Sequence, residues 1–168
     1  MSEFICNTSP LLYLYRTDAL SWLSILCNKV QIPQAVAQEL SEGRQRGYDV
    51  PDPQSYEWLK IVDPRVIPPE WLNLDLGVGE LSVLALALER PECTVLLDDR
   101  QARRIAEAAG LNVWGTLKIL IEAKSQGLVE RIAPHVDLLE STGMWMSDGI
   151  RRRVLALAGE EETNGEGP

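Results

Sequence analysis

Residues 93–100 run Cys93, Thr94, Val95, Leu96, Leu97, Asp98, Asp99 and Arg100, an apolar stretch that ends abruptly in two acids. Such unbroken apolar character marks a strand buried on both faces, as in parallel sheets covered by helices. The helix predicted from Arg100 to Ala109 follows at once, with Ala102, Ile105, Ala106 and Ala109 inward and Gly110 as its stop. Leu111 to Trp114 reads as the next short strand. Gly115 and Thr116 lead into a helix over 117–126, which ends at Gly127.

The same alternation extends upstream. Glu3 to Cys6 forms a first strand, and Ser9 with Pro10 gives a helix start of the N-cap and first-position kind. Leu11, Leu12, Leu14, Leu20, Trp22, Leu23 and Leu26 supply helical apolar spacing. Lys29 to Ile32 is the second strand, and Pro33 opens a helix with Ala35, Val36 and Leu40 near one face, ended by Gly43. Pro51, Pro53, Pro64, Pro68 and Pro69 then break the chain into short pieces, with a short helix near Ser55–Trp58 and an edge strand over Leu59–Val62. Gly77, Val78 and Gly79 precede a helix that Glu80 opens and that runs to about Arg90. Helices over 131–141 and 147–158, the second capped by Ser147, close the pattern. Strand and helix alternate throughout, which predicts an α/β fold: a three-layer α/β/α sandwich around a mostly parallel sheet.

At 168 residues the chain is expected to form a single domain over residues 1–158, burying about 70% of its unfolded surface. Residues 159–168, with Glu160, Glu161, Glu162 and Glu166 among glycines, read as a disordered acidic tail. The balance of 16 basic against 25 acidic residues gives a net charge of −9, opposite to the basic surface of most phosphate-binding proteins. Any nucleic-acid contact must therefore come from a local basic patch or a bound cation. Cys6, Cys27 and Cys93 form no C-x-x-C pair and read as buried free thiols. No signal peptide and no bilayer-spanning apolar run is visible, so a soluble cytoplasmic protein is expected.

The chemistry lies in side chains far apart in sequence. Asn7 follows the first strand, Glu39 sits on the helix after the second, Glu80 opens a helix, and Asp98 and Asp99 end the apolar run. In a parallel sheet these positions converge at the carboxyl edge, where open α/β sheets bind ligands. Clustered carboxylates repel unless a cation or proton relieves them, and a partly hydrated Mg²⁺ suits such oxygen ligands. Each residue also has a bland reading. Asn7, Thr8 and Ser9 form a turn and cap, Glu39 is solvated, Glu80 complements a helix dipole, and one of the two aspartates caps the next helix. Arg100, Arg103 and Arg104 share a helix face and either hold phosphates or pair with Asp98, Asp99 or Glu107. Arg151, Arg152 and Arg153 read as a solvated face. His135 is the sole histidine, and there is no Walker A or G-x-G-x-x-G motif. Nucleophile triads and nucleotide-phosphate loops are therefore unsupported.

Five short pieces in order carry a family resemblance: Asn7–Thr8–Ser9–Pro10–Leu11; Ile32–Pro33 with Val36, Glu39 and Leu40; Gly79–Glu80; Leu97–Asp98–Asp99–Arg100 with Ala102, Arg103 and Ala106; and Gly115–Thr116–Leu117 with Ala123, Lys124, Gly127 and Leu128. Over residues 3–158 the chain resembles the PIN domain superfamily, in a prokaryotic branch of predicted nucleic-acid-binding proteins. The resemblance implies a three-layer fold and an endoribonuclease dependent on Mg²⁺ (or Mn²⁺), the toxin of a toxin–antitoxin pair, with an RNA substrate, an antitoxin partner and a homodimeric state. It implies Glu39, Glu80 and Asp99 as catalytic acids, and Asn7, Glu80, Asp98 and Asp99 around the metal. Ser9, Arg100, Arg103 and Arg104 would contact nucleic acid. The family's usual first aspartate falls on Asn7, a neutral and weaker ligand. A PIN-like binding or regulatory module with weakened catalysis is therefore the alternative. A third is a structural partner that docks an antitoxin helix through some of Trp22, Trp58, Trp71, Trp114 and Trp145.

Overall fold

The central strand is β1 (Glu3–Cys6), whose residues Phe4, Ile5 and Cys6 are fully buried. On one side it pairs with β2 (Lys29–Ile32) and through it with β3 (Leu59–Ile61); on the other with β4 (Thr94–Leu96) and then β5 (Asn112–Trp114). All four pairings are parallel, giving the order β3-β2-β1-β4-β5 in this computed structural model, which describes residues 2–160. Phe4 pairs with Thr94 and Cys6 with Leu96, so two wholly buried runs lie side by side. At the sheet edge only Leu59 of β3 is buried, and Lys60 and Ile61 face outward, as the predicted edge strand requires.

Successive strands step one way from β1 to β3 and the other way from β4 to β5. Right-handed crossovers then put the helices of the two halves on opposite faces, the three-layer arrangement expected from the alternation. The helices are α1 (Thr8–Arg16), α2 (Leu23–Leu26), α3 (Gln34–Gln45), α4 (Val78–Glu89) and α5 (Arg100–Ala108), followed by α6 (Thr116–Ser125), α7 (Ala133–Ser141) and α8 (Asp148–Leu157). Helix α4 packs on both β1 and β4. Its Leu81, Ser82, Val83, Leu84, Ala85, Leu86 and Ala87 are all buried, which explains its apolar character all round.

Three local readings are corrected. Helix α1 starts at Thr8 with Asn7 in the cap position, so Ser9 is an exposed helical residue and no cap. The cause is tertiary: the Asn7 amide donates to the Leu96 carbonyl at 3.1 Å, extending the β1–β4 ladder by one residue before the helix turns. Helix α3 runs through Gly43, where an added Cβ would meet only Val50 at an ordinary 3.5 Å, and the chain turns instead at Gly47, whose φ is +85°. The expected helix near Ser55–Trp58 is a single 3₁₀ turn, Pro53–Ser55, capped by Asp52.

By contact density the described residues divide into two compact units, one ending at Thr116 and the other beginning at Leu117. The second contains α7 and α8, joined by Arg151, which reaches Asp137 and Glu140 at 2.7 Å each. Arg151 is thus a helix-pairing residue and not part of a solvated face. Glu160, which the sequence reading placed in the tail, is docked as well. Its carboxylate accepts from the amides of Ile132 (2.8 Å) and Ala133 (3.1 Å) at the start of α7, and from Lys124 Nζ at 3.0 Å. Residues 161–168, the rest of the predicted tail, lie outside the described residues.

Burial alone would raise the Glu160 carboxyl, but the two amides and the lysine ammonium outweigh it and hold the pKa below the usual value. A lowered pKa means stability that is present above the unfolded-state value of about 4.3 and is lost as pH falls through the folded-state value. Glu160→Ala is expected to destabilise the chain by about 1 kcal/mol at pH 7, the size of a lost helix cap. The gap to wild type should narrow below about pH 4, as read by chemical denaturation across pH. A gap independent of pH contradicts the carboxylate role.

Candidate metal and nuclease site

The strand order reverses between β1 and β4, and the crevice beyond their carboxyl ends is where such sheets hold ligands. Asn7 stands at that point. Its side chain is 4% exposed, makes no cap hydrogen bond, and its Oδ1 is a buried oxygen without a hydrogen-bond partner. An orphaned buried carbonyl costs on the order of 1–3 kcal/mol. The capping explanation for Asn7 therefore fails at the side chain, and a ligand for Oδ1 is the physical alternative.

Asp98 and Asp99 leave the end of β4 with different tasks. Asp99, an exposed residue, caps α5, its Oδ1 accepting from the Ala102 amide at 2.8 Å. Asp98 is gripped by the first residue of α6: the Thr116 amide donates to Oδ1 at 2.9 Å and the Thr116 hydroxyl to Oδ2 at 2.6 Å. Burial raises the Asp98 pKa, against the pull of the Thr116 hydrogen bonds and the Arg103 guanidinium. Arg103 is folded inward and donates to the Leu97 carbonyl at 3.1 Å. Gly115 makes room for this arrangement, since a Cβ there would lie 2.6 Å from Arg103 Nη1 and 3.0 Å from Asp98 Oδ1. Arg100 and Arg104 remain exposed on the same helix.

Glu80 and Glu39 approach from α4 and α3. Glu80 Oε2 accepts from the Gly77 amide at 2.9 Å, closing the first turn of α4. Its pKa is raised, chiefly by burial and further by the carboxylates of Asp99 and Glu39, so these three acids share one field. Glu39 accepts from the Thr8 hydroxyl. Its carboxylate lies where a side chain on Gly79 would have to go, 2.5 Å from that absent Cβ. The Asp98 charge also reaches Cys6, whose thiol is raised first by burial and then by that carboxylate, so Asp98 lies close to the end of β1.

Predicted residues therefore gather as follows. Thr8, next to Asn7, bonds Glu39; Glu39 and Asp99 lie near enough to act on the Glu80 carboxyl; and Asp98 is held at the end of β4 beside Thr116 and Arg103. Among the described residues no three Asp, Glu, His or Cys side chains are close enough to form a metal-ligand set by themselves. A hard ion that keeps several waters and takes one or two carboxylates with an amide oxygen fits these donors. The Asn7 oxygen, buried and unmatched, is the observation that favours it. Thr8, Gly79, Gly115 and Thr116 support these acids without being acids themselves, so no sequence pattern of charge marks them. Gly115 and Thr116 followed a strand at a helix start, a signal that reads as an ordinary N-cap.

Gly79→Ala is expected to fold with a stability close to that of wild type, since the preference for alanine over glycine in a helix, up to about 1 kcal/mol, is offset by the lost Thr8–Glu39 hydrogen bond. The added methyl should drive the Glu39 carboxylate off Thr8 and weaken Mn²⁺ binding several-fold, as titration calorimetry would show. Unchanged affinity in that variant would remove Glu39 from the site.

The sequence profile of a PIN domain family, DUF3368, matches residues 3–160. No curated protein sequence matches the chain. Among solved structures, a PilT N-terminus domain protein from the hyperthermophilic archaeon Sulfolobus solfataricus P2 aligns over 72% of this chain and 92% of its own, with a TM-score of 0.50 and 14% identity. At that identity the likeness speaks for the fold. PIN domains are usually nucleases and generally use divalent metal ions. Matched along nearly its whole described length, this chain belongs to the PIN domain family.

Proposed function

We propose that the chain is a metal-dependent endoribonuclease that hydrolyses RNA phosphodiester bonds at the β1–β4 crevice. One observation carries the reading: the buried, unpartnered Asn7 Oδ1 lies at the sheet's switch point, where the raised carboxyl of Glu80 shares a field with Asp99 and Glu39. Mg²⁺ or Mn²⁺ would be held by Asn7 Oδ1, Glu80 and Asp99, with Glu39 beside them. When bound, the ion acidifies a coordinated water and neutralises charge developing on the scissile phosphate. Glu39, which accepts from the Thr8 hydroxyl, would take the proton of the attacking water. Asp98 acts as a positioning residue: held by both Thr116 donors, it fixes the end of β4 and so the aim of Asp99. Arg100 and Arg104 lie exposed on α5 to steer the phosphate backbone, while Arg103 supports Asp98.

As the toxin of a pair, the protein would be silenced by an antitoxin covering apolar surface. Trp145, 80% exposed, with Ile150 and Leu157 of α8, provides surface of the kind partners bury. The second reading is a nucleic-acid-binding module of weakened catalysis, and the specific observation behind it is the neutral amide of Asn7 in place of a carboxylate.

Wild type is expected to cleave single-stranded RNA with Mn²⁺ and to stop with a chelator. Glu80→Gln should abolish cleavage and the rise in melting temperature that Mn²⁺ produces, while leaving the metal-free protein as stable or more so, because it removes a raised, repelled carboxyl. Since Glu80 must be ionised to bind, Mn²⁺ affinity should decline as pH falls, beginning above the ordinary glutamate value of about 4.3. Wild-type metal binding and cleavage in Glu80→Gln would end the assignment. Cleavage that appears only in Asn7→Asp would favour the binding module.

A further inference from the structure

The charge distribution poses a problem for an RNA-cutting crevice: four carboxylates surround it on a chain of net charge −9, and an incoming phosphate backbone is repelled. Arg103 offsets part of the Asp98 charge but, turned inward onto Leu97 and Asp98, is not presented to an incoming phosphate. On the α5 side Arg100 and Arg104 are exposed and, among the described residues, neither pairs with a carboxylate. The opposite side is α1. It buries Pro10, Leu11 and Leu14 and turns a second face outward, on which Ser9, Tyr13 and Arg16 stand at i, i+4 and i+7. Ser9 and Arg16 are exposed and Tyr13 is half-buried. Arg16 likewise has no carboxylate partner among the described residues. Along α1, Tyr13 lies between the end at Asn7 and Arg16, and beyond the effect of its burial its phenol is raised by the Asp98 carboxylate and lowered by the Arg16 guanidinium.

We propose that Ser9, Tyr13 and Arg16 form a strand-binding track along α1, on which a nucleotide base of a single-stranded polynucleotide stacks on Tyr13 and a backbone phosphate pairs with Arg16. The assignment rests on the nuclease reading of the crevice and adds the route by which the substrate passes it. Spacing supports the division of labour. Ser9 and Arg16 are about 10 Å apart along the helix axis at 1.5 Å per residue, a span for one or two nucleotides with a stacked base at the middle position. An aromatic face accepts any base, and a fork of guanidinium donors suits phosphate. With Arg100 and Arg104 on α5, the acidic crevice is then flanked by cations on both sides, so the backbone is attracted beside the carboxylates and not onto them.

Binding without turnover tests the track separately from catalysis. A fluorescent oligouridine of ~10 nucleotides is titrated with the full chain in chelator, with anisotropy read from about 50 to 200 mM salt. Arg16→Gln should weaken binding and reduce the slope of log K against log salt by about 0.7, the loss of one single-strand phosphate contact. Tyr13→Ala should weaken binding about tenfold, within the range of one lost base–aromatic stack, whereas Tyr13→Phe should bind as wild type. A wild-type salt slope in Arg16→Gln, or equal weakening in Tyr13→Phe and Tyr13→Ala, overturns the track. If these variants bind like wild type and the protein still cleaves RNA in a Glu80-dependent way, the track is wrong and the nuclease reading survives. An equally tight oligothymidine would leave the track in place and make its preference single-strandedness and not ribose.

Discussion

Everything at the site depends on one backbone contact, the pairing of Asn7 N–H with the Leu96 carbonyl at the end of the β1–β4 ladder. It continues the strand one residue past Cys6 and makes α1 begin at Thr8. It also buries the Asn7 side chain at the place where the strand order reverses. Thr8 is then carried to Glu39, which together with Asp99 acts on the Glu80 carboxyl. The apolar residues on both strands make this pairing non-negotiable, since Phe4 to Cys6 and Thr94 to Leu96 have no other way to leave water.

Around that contact the crevice is built by closeness more than by length of side chain. Two glycines leave room that any other residue would fill: Gly79 for the Glu39 carboxylate, and Gly115 for Asp98 and Arg103. Threonines then fix what the glycines admit, Thr8 on Glu39 and Thr116 on Asp98. Burial first, and then the nearby carboxylates of Asp99 and Glu39, raise the Glu80 pKa. Such a concentration of repelled charge lowers stability in the metal-free protein and is the usual signature of a site that favours function over stability.

How much of this was legible in the sequence follows from how local each determinant is. The strand Thr94–Leu96, its terminal acids and the cap formed by Asp99 need only neighbouring residues, and they were readable. So was the parallel sheet, because apolar runs alternating with helical spacing admit few other arrangements. Ser9 before Pro10 is a strong local cap signal, yet strand pairing with a distant partner moved the helix start. Thr116 and Asp98 are 18 residues apart, and no local pattern links a threonine at a helix start to a carboxylate on another strand. Glu160 sits in a composition that reads as disordered, but three donors from Lys124, Ile132 and Ala133 capture it. Arg103 shared a face with Arg100 and Arg104 on spacing alone, and only the carbonyl of Leu97 separates its role from theirs.

The central claim is that an amide oxygen and carboxylates from four separate elements serve one ion. Anomalous diffraction at the manganese edge, on crystals of the wild-type chain soaked in Mn²⁺, addresses it directly. The account predicts a single strong peak in the β1–β4 crevice within about 2–3 Å of Asn7 Oδ1 or of a water bound to it, with Glu80 and Asp99 oxygens in its shell. A peak elsewhere, or a crevice in which Asn7 Oδ1 has turned to a protein donor and no manganese is held at saturating concentration, contradicts it.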